Sequence, residues 1–229
     1  STLIDSSPMY GEAETVSGNV LAEINGRNKA FLATKVWVTG RQKGITEMNA
    51  SFNKMRAGNT MELMQVHNLV DTDTHLDTLK GWKADGKIKY IGITHYTHSA
   101  FQQLGNYIRN EPAIDFCQFP YSIGRRDAEK KFLRLCAEFG VATLINRPFE
   151  QDDLFSNTLG KPLPKWADTL GIRTWSQYFL KYLLADDAVT CLIPATSNPL
   201  HMADNLQAGL EPIPDRKERK RMAVYFDDL

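Results

Sequence analysis

The chain has 229 residues, 42% of them hydrophobic, which suffices for a full core and suits one α/β domain better than two. Its 27 Lys and Arg are balanced by 27 Asp and Glu, so no overall electrostatic case exists for nucleic acid or an anionic membrane as the main partner. No apolar run approaches the ~20 residues of a membrane helix, which leaves a small-molecule site as the expectation.

The opening Ser1-Thr2-Leu3-Ile4-Asp5 carries no initiator Met, basic segment or helical lead-in, and so reads as starting inside a longer chain. A cytoplasmic location is expected, with an export signal upstream of Ser1 left open. Residues 2–4 are the first predicted strand, followed by an amphipathic helix at 12–24. Strand 30–36 precedes helix 46–55, strand 62–67 precedes helix 74–84, and strand 88–94 precedes helix 99–109. Strand 116–119 leads to helix 128–139, and strand 141–146 leads through a loop at 149–164 to helix 175–184. Strand 189–193 is followed by helix 199–206 and by a basic amphipathic helix over 215–226. Each of the seven strands is apolar on both faces, as in a covered parallel sheet. Strict alternation of strand and helix implies right-handed crossovers, in a sheet that is either doubly wound or closed into a barrel.

Polar residues collect just after the strands: Asp5, Lys35, His67, Thr94 and His95, Gln118, Thr196 and Ser197. Reactive groups from distant segments converge this way at the C-terminal face of a barrel, whereas a doubly wound sheet usually carries a Gly-rich first turn. No G-x-G-x-x-G is present. Cys117, Cys136 and Cys191 are isolated, which suggests buried reduced thiols rather than a zinc site or disulfides. His75 is expected to cap a helix and His98 to lie at the start of another, both outside any site.

Three segments stand in order: Leu3-Ile-Asp-Ser-Ser-Pro-Met-Tyr with Asp5 and Tyr10, Phe31-Leu-Ala-Thr-Lys with Lys35, and Met64-Gln-Val-His with His67. The pattern D-x4-Y, then a strand ending T-K, then one ending V-H, resembles the catalytic tetrad of the aldo-keto reductases. Gly92-Ile-Thr-His-Tyr, Gln118-Phe-Pro-Tyr-Ser and Ile193-Pro-Ala-Thr-Ser-Asn-Pro continue the likeness along nearly the whole chain. Singly, Asp5 would be a loop cap, Tyr10 a surface aromatic, Lys35 a solvated strand end and His67 a core histidine. Together they favour catalysis.

The resemblance implies a (β/α)8 barrel formed by residues 1–229 as one domain, here with seven recognisable strands. Its first β/α unit is expected to be missing, leaving an unpaired edge and exposed apolar residues beside the strand at Thr2. It implies an oxidoreductase that passes hydride from NAD(P)H to an aldehyde or ketone, with Tyr10 as general acid. A free tyrosine with a pKa of about 10 is a poor acid, so Lys35 is expected to lower it, Asp5 to hold Lys35, and His67 to orient the carbonyl. The nicotinamide carboxamide falls to Thr94, His95 and Gln118, although the family usually has Asn where His95 stands. Asn146 occupies the position of a stacking aromatic, so Phe149 or Tyr121 is a candidate for the ring. Arg147 is assigned to the pyrophosphate. Thr196, Ser197, Asn198 and Asn205 are hydrogen-bonding partners for the cofactor, the helix start near Pro199 offers its amides to a phosphate, and His201 is either a substitute phosphate partner or a helix surface residue. NADP is the expected cofactor and NAD is possible; the partner is a small carbonyl compound, and the chain a monomer or weak oligomer. A nucleotide-binding regulatory barrel with little turnover and a hydrolase or aldolase using Lys35 are the rival readings. Trp37, Phe149 and Phe155 suggest an apolar pocket and a hydrophobic aldehyde, although core packing explains these aromatics equally well.

Overall fold

The computed structural model describes residues 2–229. Its seven strands follow one another in sequence order, and the elements fall into two compact units.

The first unit spans residues 2–95 and 102–117. It contains strands β1 (Leu3–Asp5), β2 (Phe31–Val36), β3 (Met61–Val66) and β4 (Ile88–Thr94), with helices α1 (Ala13–Glu23), α2 (Arg41–Lys54) and α3 (Thr72–Ala84) between them. The pairing is parallel: Asp5 lies opposite Ala33, Lys35 opposite Gln65, and Gln65 opposite Gly92. Lys35, Gln65 and Gly92 thus form one row across three strands. All six residues of β3 are buried, as expected of a strand covered on both faces. Its one acid, Glu62, is answered by Arg27, by Lys89 and by the backbone N–H of Leu32. β1 stands at one end of the strand order, and Val16 and Val20 on α1 are exposed.

The second unit comprises residues 96–101 and 118–229, so that β5 (Phe116–Pro120) begins in one unit and ends in the other. It holds β6 (Ala142–Asn146) and β7 (Cys191–Leu192), with helices α5 (Asp127–Glu138), α6 (Asp153–Thr158), α7 (Trp175–Leu184), α8 (Pro199–Gln207) and α9 (Arg216–Asp227). Helix α4 (Phe101–Asn110) lies between these segments and belongs mostly to the first unit. Phe101, Phe119 and Phe132 pack into one aromatic cluster, with the rings of Phe101 and Phe132 stacked at 4.7 Å. Glu129 on α5 accepts hydrogen bonds from Tyr121, from Tyr182 on α7 and from Arg219 on α9, which ties three helices and a loop together.

Four expectations are corrected. Helix α2 starts at Arg41 rather than 46, because its first turn is polar and contains Gly44, which hides the helical period. β7 is two residues long rather than five: the N–H groups of Thr190 and Thr143 bond to each other's side-chain hydroxyls, outside the backbone ladder. The stretch taken as a loop holds α6 and, past it, a short 3-10 turn at Lys165–Leu170, both too brief for periodicity to reveal. His75 caps nothing; Asp71 stands at the start of α3, and His75 is buried within it. Cys117 and Cys136 are buried as expected, while Cys191 is half-buried. Among the described residues no helix is long and apolar enough to cross a membrane.

Candidate functional site

The first unit brings Asp5, Tyr10, Lys35 and His67 together. Lys35 ends an apolar strand with its side chain fully buried, and an ammonium there is costly unless paired. Its Nζ lies 2.6 Å from Asp5 Oδ2 and 2.7 Å from the Ser6 carbonyl oxygen. Asp5 Oδ1 in turn accepts from Gln65 Nε2 at 3.0 Å. Gln65 fits because Gly92, its partner in the row, has no side chain: a Cβ there would lie 2.7 Å from Gln65 Cγ.

Tyr10 follows in the loop after β1, 47% exposed, with its ring centroid 5.3 Å from Lys35 Nζ. Burial of the phenol and the Asp5 carboxylate raise its pKa above the ordinary value. The expected lowering by Lys35 is therefore not seen, since that ammonium is already engaged by Asp5 and Ser6. His67 follows β3 directly. Its ring meets Tyr10 edge-on at 6.3 Å and Trp37 at 5.5 Å, and its Nδ1 lies 3.2 Å from Ser7 Oγ. Burial first, then the charges of Lys35 and His95, push its pKa down to about 4, so the imidazole is neutral near pH 7. The loop beyond is strained: Asn68, Leu69 and Asp71 all hold left-handed φ angles of about 50°.

Ser6, Ser7 and Gln65 were not anticipated. Gln65 was legible, since it stands two residues before His67 in an apolar strand and so shares its face. Ser6 contributes only its carbonyl, which no sequence pattern reports.

Among the residues assigned to the cofactor, Thr94 ends β4, buried, and its Oγ1 accepts from the Asn68 N–H at 3.2 Å. His95 is half-buried, and burial lowers its pKa. In the second unit, Gln118 is buried on β5 and Asn146 ends β6. Arg147 is exposed, with its guanidinium 4.9 Å above the Tyr96 ring, and it forms no ion pair among the described residues. Thr196 Oγ1 accepts from the Asn198 N–H, and Asn198 Oδ1 caps α8 through the Leu200 N–H. Ser197 and His201 are exposed there, whereas Asn205 is buried with Oδ1 accepting from Ser176 on α7. Two side chains considered for the nicotinamide ring are otherwise occupied. Tyr121 is fully buried on Glu129 and Arg219, and Phe149 packs on Phe155 at 5.0 Å.

A family model described as the Aldo/keto reductase family matches residues 1–220. The chain is 24% identical to the aldo-keto reductase str7 of Strobilurus tenacellus over 244 aligned positions, spanning 91% of this chain and 72% of that protein. It is 28% identical over 169 positions to the methylglyoxal reductase YeaE of Escherichia coli strain K12, spanning 70% of this chain and 57% of that one. Among solved structures, an aldo/keto reductase from Klebsiella pneumoniae in complex with NADP and acetate matches with a TM-score of 0.79. That match covers 98% of this chain and 80% of the other at 19% identity, a likeness of fold. The seven parallel strands with intervening helices are thus the α/β pattern expected from the (β/α)8 resemblance.

Proposed function

The chain belongs to the aldo-keto reductase family, whose members are NAD(P)H-dependent oxidoreductases, and from that premise we propose that Asp5, Tyr10, Lys35 and His67 reduce a carbonyl with Tyr10 as general acid. The observation that carries the reading is the buried chain Gln65–Asp5–Lys35 lying against Tyr10 and His67. Reduced nicotinamide supplies the hydride when bound. The protein's part is to place a proton on the carbonyl oxygen. Tyr10 is placed for this by its ring, 5.3 Å from the Lys35 ammonium; its raised pKa makes it a weak acid that keeps its proton until negative charge develops on the carbonyl oxygen. The Lys35 ammonium stabilises the phenolate left after transfer, and Asp5 with Gln65 keeps that ammonium in place. Neutral His67, whose Nδ1 is hydrogen-bonded with Ser7 Oγ, orients the carbonyl; in the tautomer this role requires, Ser7 donates to Nδ1 and Nε2–H faces the substrate.

The donor set suits a dinucleotide. Arg147, without a carboxylate partner among the described residues, is available to a pyrophosphate; exposed Ser197 and His201 at the start of α8 are available to the 2′-phosphate. NADP is the proposed cofactor over NAD, within one reductase domain over residues 1–229. An apolar aldehyde is the proposed substrate class, and a 2-oxoaldehyde is a fitting first probe because one relative is a methylglyoxal reductase. The aldolase reading loses ground because the Lys35 ammonium is held by two acceptors and presents no lone pair.

The test is NADPH consumption followed by absorbance against a panel of aldehydes and ketones, repeated with NADH. Turnover with several aldehydes and a preference for NADPH is expected. Fluorescence quenching on cofactor binding with no turnover on any carbonyl would contradict the reading.

A further inference from the structure

His75 has no part in the site described above, yet it is fully buried on α3 and its ring reaches the loop that follows β2. Nε2 lies 2.6 Å from the carbonyl oxygen of Val38. A carbonyl only accepts, so the ring meets it through an N–H. Room for the imidazole comes from the neighbouring helix: at Gly44 of α2, a Cβ would lie 2.4 Å from His75 Cε1 and 2.8 Å from Nδ1. Glycine within a helix costs stability relative to alanine, and here any larger residue would expel the ring. Two further hydrogen bonds hold the same loop. The Trp37 N–H donates to Glu47 Oε2 at 2.7 Å, and the Gly40 N–H donates to Asp71 Oδ2 at 2.7 Å. Trp37 itself is 41% exposed, with its indole 5.5 Å from the His67 ring.

We infer that His75 is a positioning residue of the reductase site: by holding the Val38 carbonyl it fixes residues 37–40 so that Trp37 stands as a preformed aromatic wall beside His67. The wall sets affinity for carbonyl compounds that carry an apolar body. This rests on the proposed role of His67.

The test uses protein labelled with fluorotryptophan, in which each of the four tryptophans gives a fluorine NMR signal and Trp37→Phe assigns one of them. His75→Phe removes the N–H, His75→Gln restores a side-chain N–H donor, and Gly44→Ala displaces the ring while leaving His75 intact. In His75→Phe and Gly44→Ala the Trp37 signal is expected to shift or broaden while the other three stay. KM for an aromatic aldehyde should rise by roughly five- to tenfold, with kcat within about twofold and NADPH affinity unchanged. His75→Gln should bring both the signal and KM back toward wild type. An unmoved Trp37 signal with unchanged KM in His75→Phe and Gly44→Ala would overturn the inference, as would equal shifts in all four signals. The same Trp37 response in the two variants, with a wild type that reduces no aldehyde, would instead remove the reductase reading and leave only the brace.

Discussion

His67 is where burial and charge act together on one side chain. Its pKa is pushed from 6.5 to about 4, so between these values the unfolded chain takes up a proton that the folded site refuses. The associated stability is complete above about pH 6.5 and is lost as the pH falls toward 4, by at most roughly 3 kcal/mol. A pH series of histidine carbon–proton NMR spectra should show the His67 signal titrating near 4; a midpoint near 6.5 would mean an imidazole in contact with water. Asp5 offers a second check. Asp5→Asn keeps the shape and one acceptor oxygen but removes the negative charge that pairs with the buried Lys35 ammonium, which should cost about 3–5 kcal/mol in urea unfolding. A loss below about 1 kcal/mol, the range of exposed pairs, would show that the pair is solvated. At this scale the tetrad was legible because each member is a polar residue at the end of an apolar strand or in the loop that follows. The residues supporting it were less so: Ser7 looks like any loop serine, and nothing in Asp-Thr-Asp-Thr-His announces that His75 points away from the helix start.

The elements follow the same division. β2, β3 and β4 could be placed within one residue because each is a short, mainly apolar and mainly buried segment, interrupted by few polar residues, which local sequence displays directly. The first turn of α2 could not, since Gly40 and Gly44 serve a turn and a neighbouring ring rather than the helix period. Nor could β7, whose flanks bond through threonine hydroxyls. The row Lys35, Gln65, Gly92 gives a prediction at this scale. Gly92→Ala puts a methyl group 2.7 Å from Gln65 Cγ and 3.3 Å from the Phe116 carbonyl oxygen, so β4 or Gln65 must move. A destabilisation of about 1–3 kcal/mol is expected, of the size seen for overpacked cores. Reductase activity should fall with it, because Gln65 holds Asp5. Wild-type stability and activity in Gly92→Ala would remove Gln65 from the account.

For the molecule as a whole, the residues proposed for proton transfer all lie in the first unit, and most of those proposed for the dinucleotide lie in the second. Proton donation and cofactor binding should therefore separate under mutation. Tyr10→Phe removes one hydroxyl from a half-exposed ring and touches none of the residues assigned to the phosphates. The direct measurement is single-turnover oxidation of bound NADPH by a reducible aldehyde, in wild type and in Tyr10→Phe, with NADPH affinity determined on the same samples. The rate should fall by ~10² or more while the NADPH dissociation constant stays within about twofold. An equal rate in the variant would contradict Tyr10 as the acid.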